Sequence, residues 1–224
     1  MQEIWERKVP KSITHPIQLV VEGFSALRFF TALLRKMKIN QIQIQDFRGK
    51  DELEDFLLAL KITGDFNTVV SIGIVRDADN DPSAAFASVC SALRDAELYK
   101  PSQPAKFEGV DPRIGVLILP NANESGMLET ICLQSVSNDP AIKCIEDYLD
   151  CLRSNCLQEP IDESHNIYKA QVQAFLASRT FLSPKRRNIW QLGEAADKGD
   201  WQWDSPAFDH VKRFLTSLAS LRTP

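Results

Sequence analysis

An α/β fold with about four mainly parallel strands flanked by helices, plus a helical C-terminal part, is predicted for this chain from three observations. Short apolar runs rich in β-branched residues recur at 17–21, 71–75 and 115–119, and such runs suit strands buried on both faces of a parallel sheet. The stretches between them are long enough for crossovers and carry apolar residues at helical spacing. Two of the runs end in acids, Glu22 after the first and Asp77, Asp79 and Asp81 after another. Ligands of open α/β sheets bind at the carboxyl edge, so those acids are candidates for chemistry.

Residues 1–16 read as a polar lead-in in which Ile4 and Trp5 are the residues able to tuck against the body, 17–138 as the α/β core, and 139–224 as a helical extension packed on it. Ile17-Gln18-Leu19-Val20-Val21 is the first strand; Glu22 and Gly23 follow, with Ser25 as a helix cap. Leu27, Phe30, Leu33, Leu34 and Met37 recur at helical spacing, and the basic far end of that helix suits its dipole. Ile42 to Asp46 alternates like an edge or half-exposed strand, Gly49 marks a turn, and Leu53, Phe56, Leu57 and Leu60 form the next amphipathic helix. Pro82 to Glu97 is an alanine-rich third helix, and Gly115 to Leu119 a further strand halted by Pro120. The turn-rich Asn121 to Gly126 leads into a helix opening at Met127. Ile145, Tyr148, Leu149 and Leu152 then form an apolar stripe, followed by Val172, Phe175 and Leu176 on a helix capped by Ser164. Trp201 to Phe208 precedes a last helix through Phe214, Leu215 and Leu218, with Asp204 or Ser205 as cap and Pro206 in its first turn.

Composition narrows the function classes. A formal charge of −4 argues against broad non-specific affinity for nucleic acid, so any phosphate-binding surface must be local. Arg28, Arg35, Lys36 and Lys38 read as a solvated face, and Lys185-Arg186-Arg187 as the more suggestive cluster. Five cysteines with no Cys-x-x-Cys fit free thiols in a reducing compartment, and no run of eighteen apolar residues suggests a membrane span, so a cytoplasmic protein is expected. His15, His165 and His210 show no metal spacing, and no phosphate-cradling Gly-x-x-x-x-Gly-Lys loop is present.

Asp77, Asp79 and Asp81 have period two, so in an extended segment all three point the same way and repel. Two readings are equally open from these residues alone: a divalent cation with oxygen ligands, or an acidic turn in which Asp81-Pro82 starts the next helix. The order Val21-Glu22-Gly23 after one strand and Asp77-x-Asp79-x-Asp81 after a later one resembles the Rossmann-like TOPRIM fold, shared by topoisomerases, bacterial primases, ribosomal-RNA maturases and OLD-family nucleases. A closer resemblance is to a family of unknown function in the TOPRIM group, to which Gly126-Met127-Leu128-Glu129 and the stretch from Trp201 to Leu215 are similar. Where many TOPRIM nucleases carry an Asp or Lys shortly after the Glu-Gly pair, this chain has Phe24, Ser25 and Ala26.

The resemblance implies Mg²⁺- (or Mn²⁺-) dependent phosphodiester cleavage of DNA or RNA. Asp77 and Asp79 then hold the metal, with Asp81 a further candidate, Glu22 serves as ligand or general acid/base, and Glu129 completes a second site. Glu124 is a further candidate, though acids in a first helical turn also complement the dipole. Lys169 is similar in placement to a lysine that OLD-type nucleases set near their metals, against the commoner fate of a surface lysine. An ATPase partner, as in OLD-type systems, would come from another chain. The alternative class is a non-catalytic, TOPRIM-like binding or regulatory subunit, and fold similarity alone does not choose between them.

Overall fold

The computed structural model describes residues 10–156, 166–183, 188 and 190–220. Ile4, Trp5, Ser164, His165 and the Lys185-Arg186-Arg187 cluster lie outside these residues.

The core is a parallel sheet of four strands, β1 (Ile17–Val21), β2 (Ile42–Asp46), β3 (Ser71–Asp77) and β4 (Arg113–Leu119), in the order β2-β1-β3-β4. This is the predicted α/β architecture. Parallel pairing demands crossovers, and α1 (Gly23–Met37), α2 (Leu53–Lys61) and α3 (Pro82–Asp95) supply them. Strand alternation divides the interior into two layers. Leu19, Val21 and Val75 share one layer with α1 and the C-terminal helices; Val20, Ile72 and Ile74 share the other with α2 and α3. Because β1 connects outward to β2 on one side and β3 lies on its other side, the order reverses between β1 and β3. A crevice at the carboxyl ends of these two strands is therefore the position where such a sheet takes a ligand.

The C-terminal part comprises α4 (Leu128–Ser135), α5 (Pro140–Cys156), α6 (Asn166–Leu182), α7 (Leu192–Lys198) and α8 (Asp209–Ala219). Val172, Phe175 and Leu176 of α6 are buried as their spacing predicts. On α5 only Ile145 is buried, and Tyr148 and Leu152 of the expected stripe are exposed, because that helix meets the body along one narrow line. Helix α8 lies directly over β3: a Cβ on Gly73 would sit 2.9 Å from Leu218 Cδ2 and 3.1 Å from Phe214 Cε1. Glycine at mid-strand here is what allows that close approach. Ser205 caps a short 3₁₀ turn at Pro206–Phe208, accepting from Ala207 N, and Trp201 is buried against Phe175. The end of the lead-in is tied down, since Gln45 and Gln43 side chains bond the backbone of Lys11, Ser12 and Thr14.

Candidate functional site

The site is assembled from strand ends. Register places Val20 opposite Ile74, so two residues further on Glu22 comes beside Arg76. Glu22 stands at the corner between β1 and α1, where Gly23 takes a φ of 83°. Asp46, at the end of β2, accepts from Gly23 N and Arg48 N at 2.8 Å each and so braces that corner. Asp77 closes β3, and its Oδ1 accepts from Leu128 N at 3.0 Å, at the start of α4.

Beyond Asp77 the chain does not continue extended. Asp79 adopts a left-handed φ of 51° and exchanges backbone hydrogen bonds with Gly126, 2.9 Å and 2.8 Å, which ties the β3 and β4 loops together. Gly126 has a φ of 135°, and a Cβ there would meet Thr130 Oγ1 at 2.6 Å. The alternation expected of Asp77, Asp79 and Asp81 is therefore broken at Asp79. Asp81 turns away and caps α3, its Oδ1 accepting from Ser83 N and Ala84 N at 2.8 and 3.0 Å. This is the cap arrangement, with Pro82 at the first helical position.

Glu22, Asp77, Asp79 and Lys169 line one pocket of about 430 Å³, together with Gly49, Asp51 and Glu52. Lys169 reaches this pocket from α6, and its side chain is otherwise exposed. Glu129 is not among the lining residues, yet it is the strongest charged neighbour of Asp77. Burial, then Glu129, Glu22 and Asp79, push the Asp77 pKa up to about 8, against the lowering effect of the Leu128 N–H. Glu124 is exposed and bonds Asn121 within its own turn. The surface arginines Arg28 and Arg35 pair with Asp197 of α7.

Sequence reasoning missed Arg76. Its side chain is buried, and its guanidinium joins Glu22 Oε2 through Nη1 and Asp79 Oδ2 through Nη2, the latter at 3.3 Å. The signal was a lone cation at the penultimate position of an otherwise apolar strand, where burial requires a partner. Asp51 and Glu52, between the Gly49 turn and α2, are two further lining residues that sequence reasoning did not single out.

The acids of the pocket offer carboxylate oxygens, the donor type a hard divalent cation takes, beside Lys169, the one cationic lining residue among those described. Among the described residues, however, no three His, Cys, Asp or Glu side chains are grouped closely enough to hold a metal ion. Arg76 supplies to Glu22 and Asp79 the positive charge that the repulsion argument assigned to a metal. A larger pocket of about 880 Å³ lies at the far end of α1, beside Lys36 and Trp203, and brings together only two charged side chains, Lys36 and Asp204. Among the described residues no helix is long and apolar enough to cross a membrane.

A family model described as a protein of unknown function (DUF3226) matches residues 16–220. No curated protein and no solved structure matches the chain.

Proposed function

The chain belongs to the DUF3226 family, and we propose that it is a TOPRIM-like, Mg²⁺- or Mn²⁺-dependent protein that processes phosphodiester bonds in nucleic acid. One observation carries the reading: acids from the ends of β1 and β3 meet at the sheet's switch point in a pocket that also receives Lys169. Burial first, and then the neighbouring carboxylates of Glu129, Glu22 and Asp79, hold Asp77 near a pKa of 8, and a divalent cation is a partner that would relieve the repulsion among these acids.

Asp77, Asp79 and Glu22 would hold the ion, with Glu129 behind Asp77 as a further oxygen donor. When bound, the ion supplies a Lewis acid for a phosphoryl oxygen. Lys169 at the pocket wall offers a positive charge to a phosphate. Glu22 would serve either as a ligand of the ion or as the general acid/base that takes a proton from an attacking water.

The second reading is a binding or regulatory subunit without catalysis. What favours it is Arg76, which already counters two of the acids, together with the lack of a grouped metal set among the described residues.

An assay separates the two. Labelled single- and double-stranded DNA and RNA are incubated with purified protein in Mg²⁺ or Mn²⁺, beside the Asp77→Ala variant. Weak, salt-sensitive cleavage with little sequence preference is expected, lost in the variant while binding persists. Retention of nucleic acid without cleavage under either metal would leave the regulatory reading. Cleavage that survives in Asp77→Ala would belong to a contaminant and remove the support for catalysis.

A further inference from the structure

We propose that the pocket at the far end of α1 is a second binding site, for a neutral polyhydroxylated ligand, a mono- or disaccharide. The length of α1 separates it from the acidic crevice by roughly 20 Å, and the inference does not depend on the metal-dependent reading.

The space is that of a ligand site, about 880 Å³, where small-molecule sites span roughly 300–1,000 Å³. Its walls are the last turn of α1, the end of α4 with the residues after it, and the segment 199–207 that follows α7. They are held in place by contacts within the protein. The Trp203 ring centre lies 5.3 Å from those of both Phe29 and Phe208. Trp201 donates its indole N–H to the Leu192 carbonyl at 3.1 Å, and Ser205 Oγ accepts from Ala207 N at 3.3 Å. Walls fixed in advance spare a ligand the cost of ordering them.

The lining chemistry selects the ligand. Gln134, Asn138 and Gln202 bring three carboxamides to the pocket, and Ser137 brings a hydroxyl. None of these side chains, nor the indole N–H of Trp203, hydrogen-bonds another group among the described residues. A carboxamide both donates and accepts, as a sugar hydroxyl does, so each of the three pairs with a hydroxyl in either sense. Asp204 adds a carboxylate that accepts from hydroxyls, and Trp203 adds an apolar ring surface with one donor at its edge.

Charge argues against the other ligand classes. Among the described residues the lining holds one cation, Lys36, and one anion, Asp204, so the side chains supply no net charge. The C-terminal ends of α1, α4 and α7 meet here, and helix C-termini carry partial negative charge, which opposes a phosphate. A hard cation would find a single carboxylate. A neutral ligand rich in hydroxyls suits both the acceptors at these helix ends and the unpartnered amide donors.

The test is a titration of isotope-labelled protein with glucose, maltose and N-acetylglucosamine, followed by magnetic resonance at the Trp203 indole N–H. Glucose is compared with its phosphate ester. At least one neutral sugar is expected to shift the Trp203 signal saturably, and the phosphate ester to bind no more tightly than glucose. The double variant Gln134→Ala, Gln202→Ala is expected to weaken sugar binding about tenfold or more. Both glutamines are exposed, so the variant should fold, and an unchanged melting temperature checks that it does. Absence of a saturable Trp203 shift with all three sugars would overturn the proposal. Tighter binding of the phosphate ester would overturn the neutral ligand class, and an undiminished affinity in the folded double variant would overturn the site.

Discussion

At Asp77 the folded chain resists ionisation, and the consequence for stability has a definite sign. Its pKa is raised from the ordinary 3.8 to about 8, first by burial and then by Glu129, Glu22 and Asp79. Below about pH 4 both folded and unfolded chains hold the proton. Between about pH 4 and 8 the unfolded chain releases it while the folded chain keeps it, so stability falls as pH rises. Above about pH 8 both forms are ionised and the loss levels off. Asp77→Asn retains the oxygen that accepts from Leu128 N and removes the charge. It is expected to stabilise the protein by about 1–3 kcal/mol at pH 7.5 and to change little at pH 4. Urea unfolding at both pH values checks this, and an effect independent of pH would show that burial and the neighbouring acids together do not raise Asp77. Asp81, two residues beyond Asp79, has a different task. Its Oδ1 caps α3, so Asp81→Ala should cost about 1 kcal/mol and leave Mn²⁺ affinity unchanged. A large fall in that affinity would instead return Asp81 to the metal set.

At the scale of elements, the contacts that matter most join the C-terminal helices to the sheet. Helix α8 approaches β3 so closely that Gly73→Ala must push back Leu218 and Phe214. A cost of about 1–3 kcal/mol is expected from this overpacking. A companion Leu218→Ala change should recover part of it, a coupling that a double-mutant cycle measures directly. The junction before α5 is held differently. Asp139 accepts from Arg179 at 2.9 and 3.0 Å and from Ala141 N at 2.9 Å, and Arg179 lies 4.2 Å from the Phe175 ring centre. The Arg179 hydrogen bonds, aided by Ala141 N, hold the Asp139 carboxyl below its ordinary range against the opposing effect of burial. A lowered acid contributes stability above its unfolded pKa and loses it as pH falls through the folded value. Asp139→Asn should therefore cost about 1.5–3 kcal/mol near neutrality, with the difference from wild type shrinking below about pH 4. Thermal unfolding across that range decides it, and a constant difference would assign the effect to packing.

For the whole molecule, the functional proposal couples the site to global stability. A cation that binds only the folded chain should raise its melting temperature, and the rise should be lost in Asp79→Asn, whose fold is expected to stay intact. Calorimetry with and without Mg²⁺ gives the comparison. Loss of folding in Asp79→Asn would mean that the pairing of its carboxylate with Arg76 is chiefly structural.

The sequence by itself determined the strands, their parallel crossovers and the acids at their ends, because apolar period and β-branched runs are local properties that burial in a sheet requires. It also placed Glu22, Asp77 and Asp79 as candidates that share one pocket. Only the tertiary structure decided which acids share that pocket and what opposes their charge. Asp79 and Asp81 part company because of one left-handed residue stabilised by Gly126, a residue 47 positions away from Asp79 in sequence. Glu129 meets Asp77 only because α4 begins where β3 ends. Arg76 could be seen in the sequence as a cation beside acids, but its partners depend on the register of β1 against β3. Register and loop closure are settled by contacts between distant segments, and local sequence spacing carries no record of them.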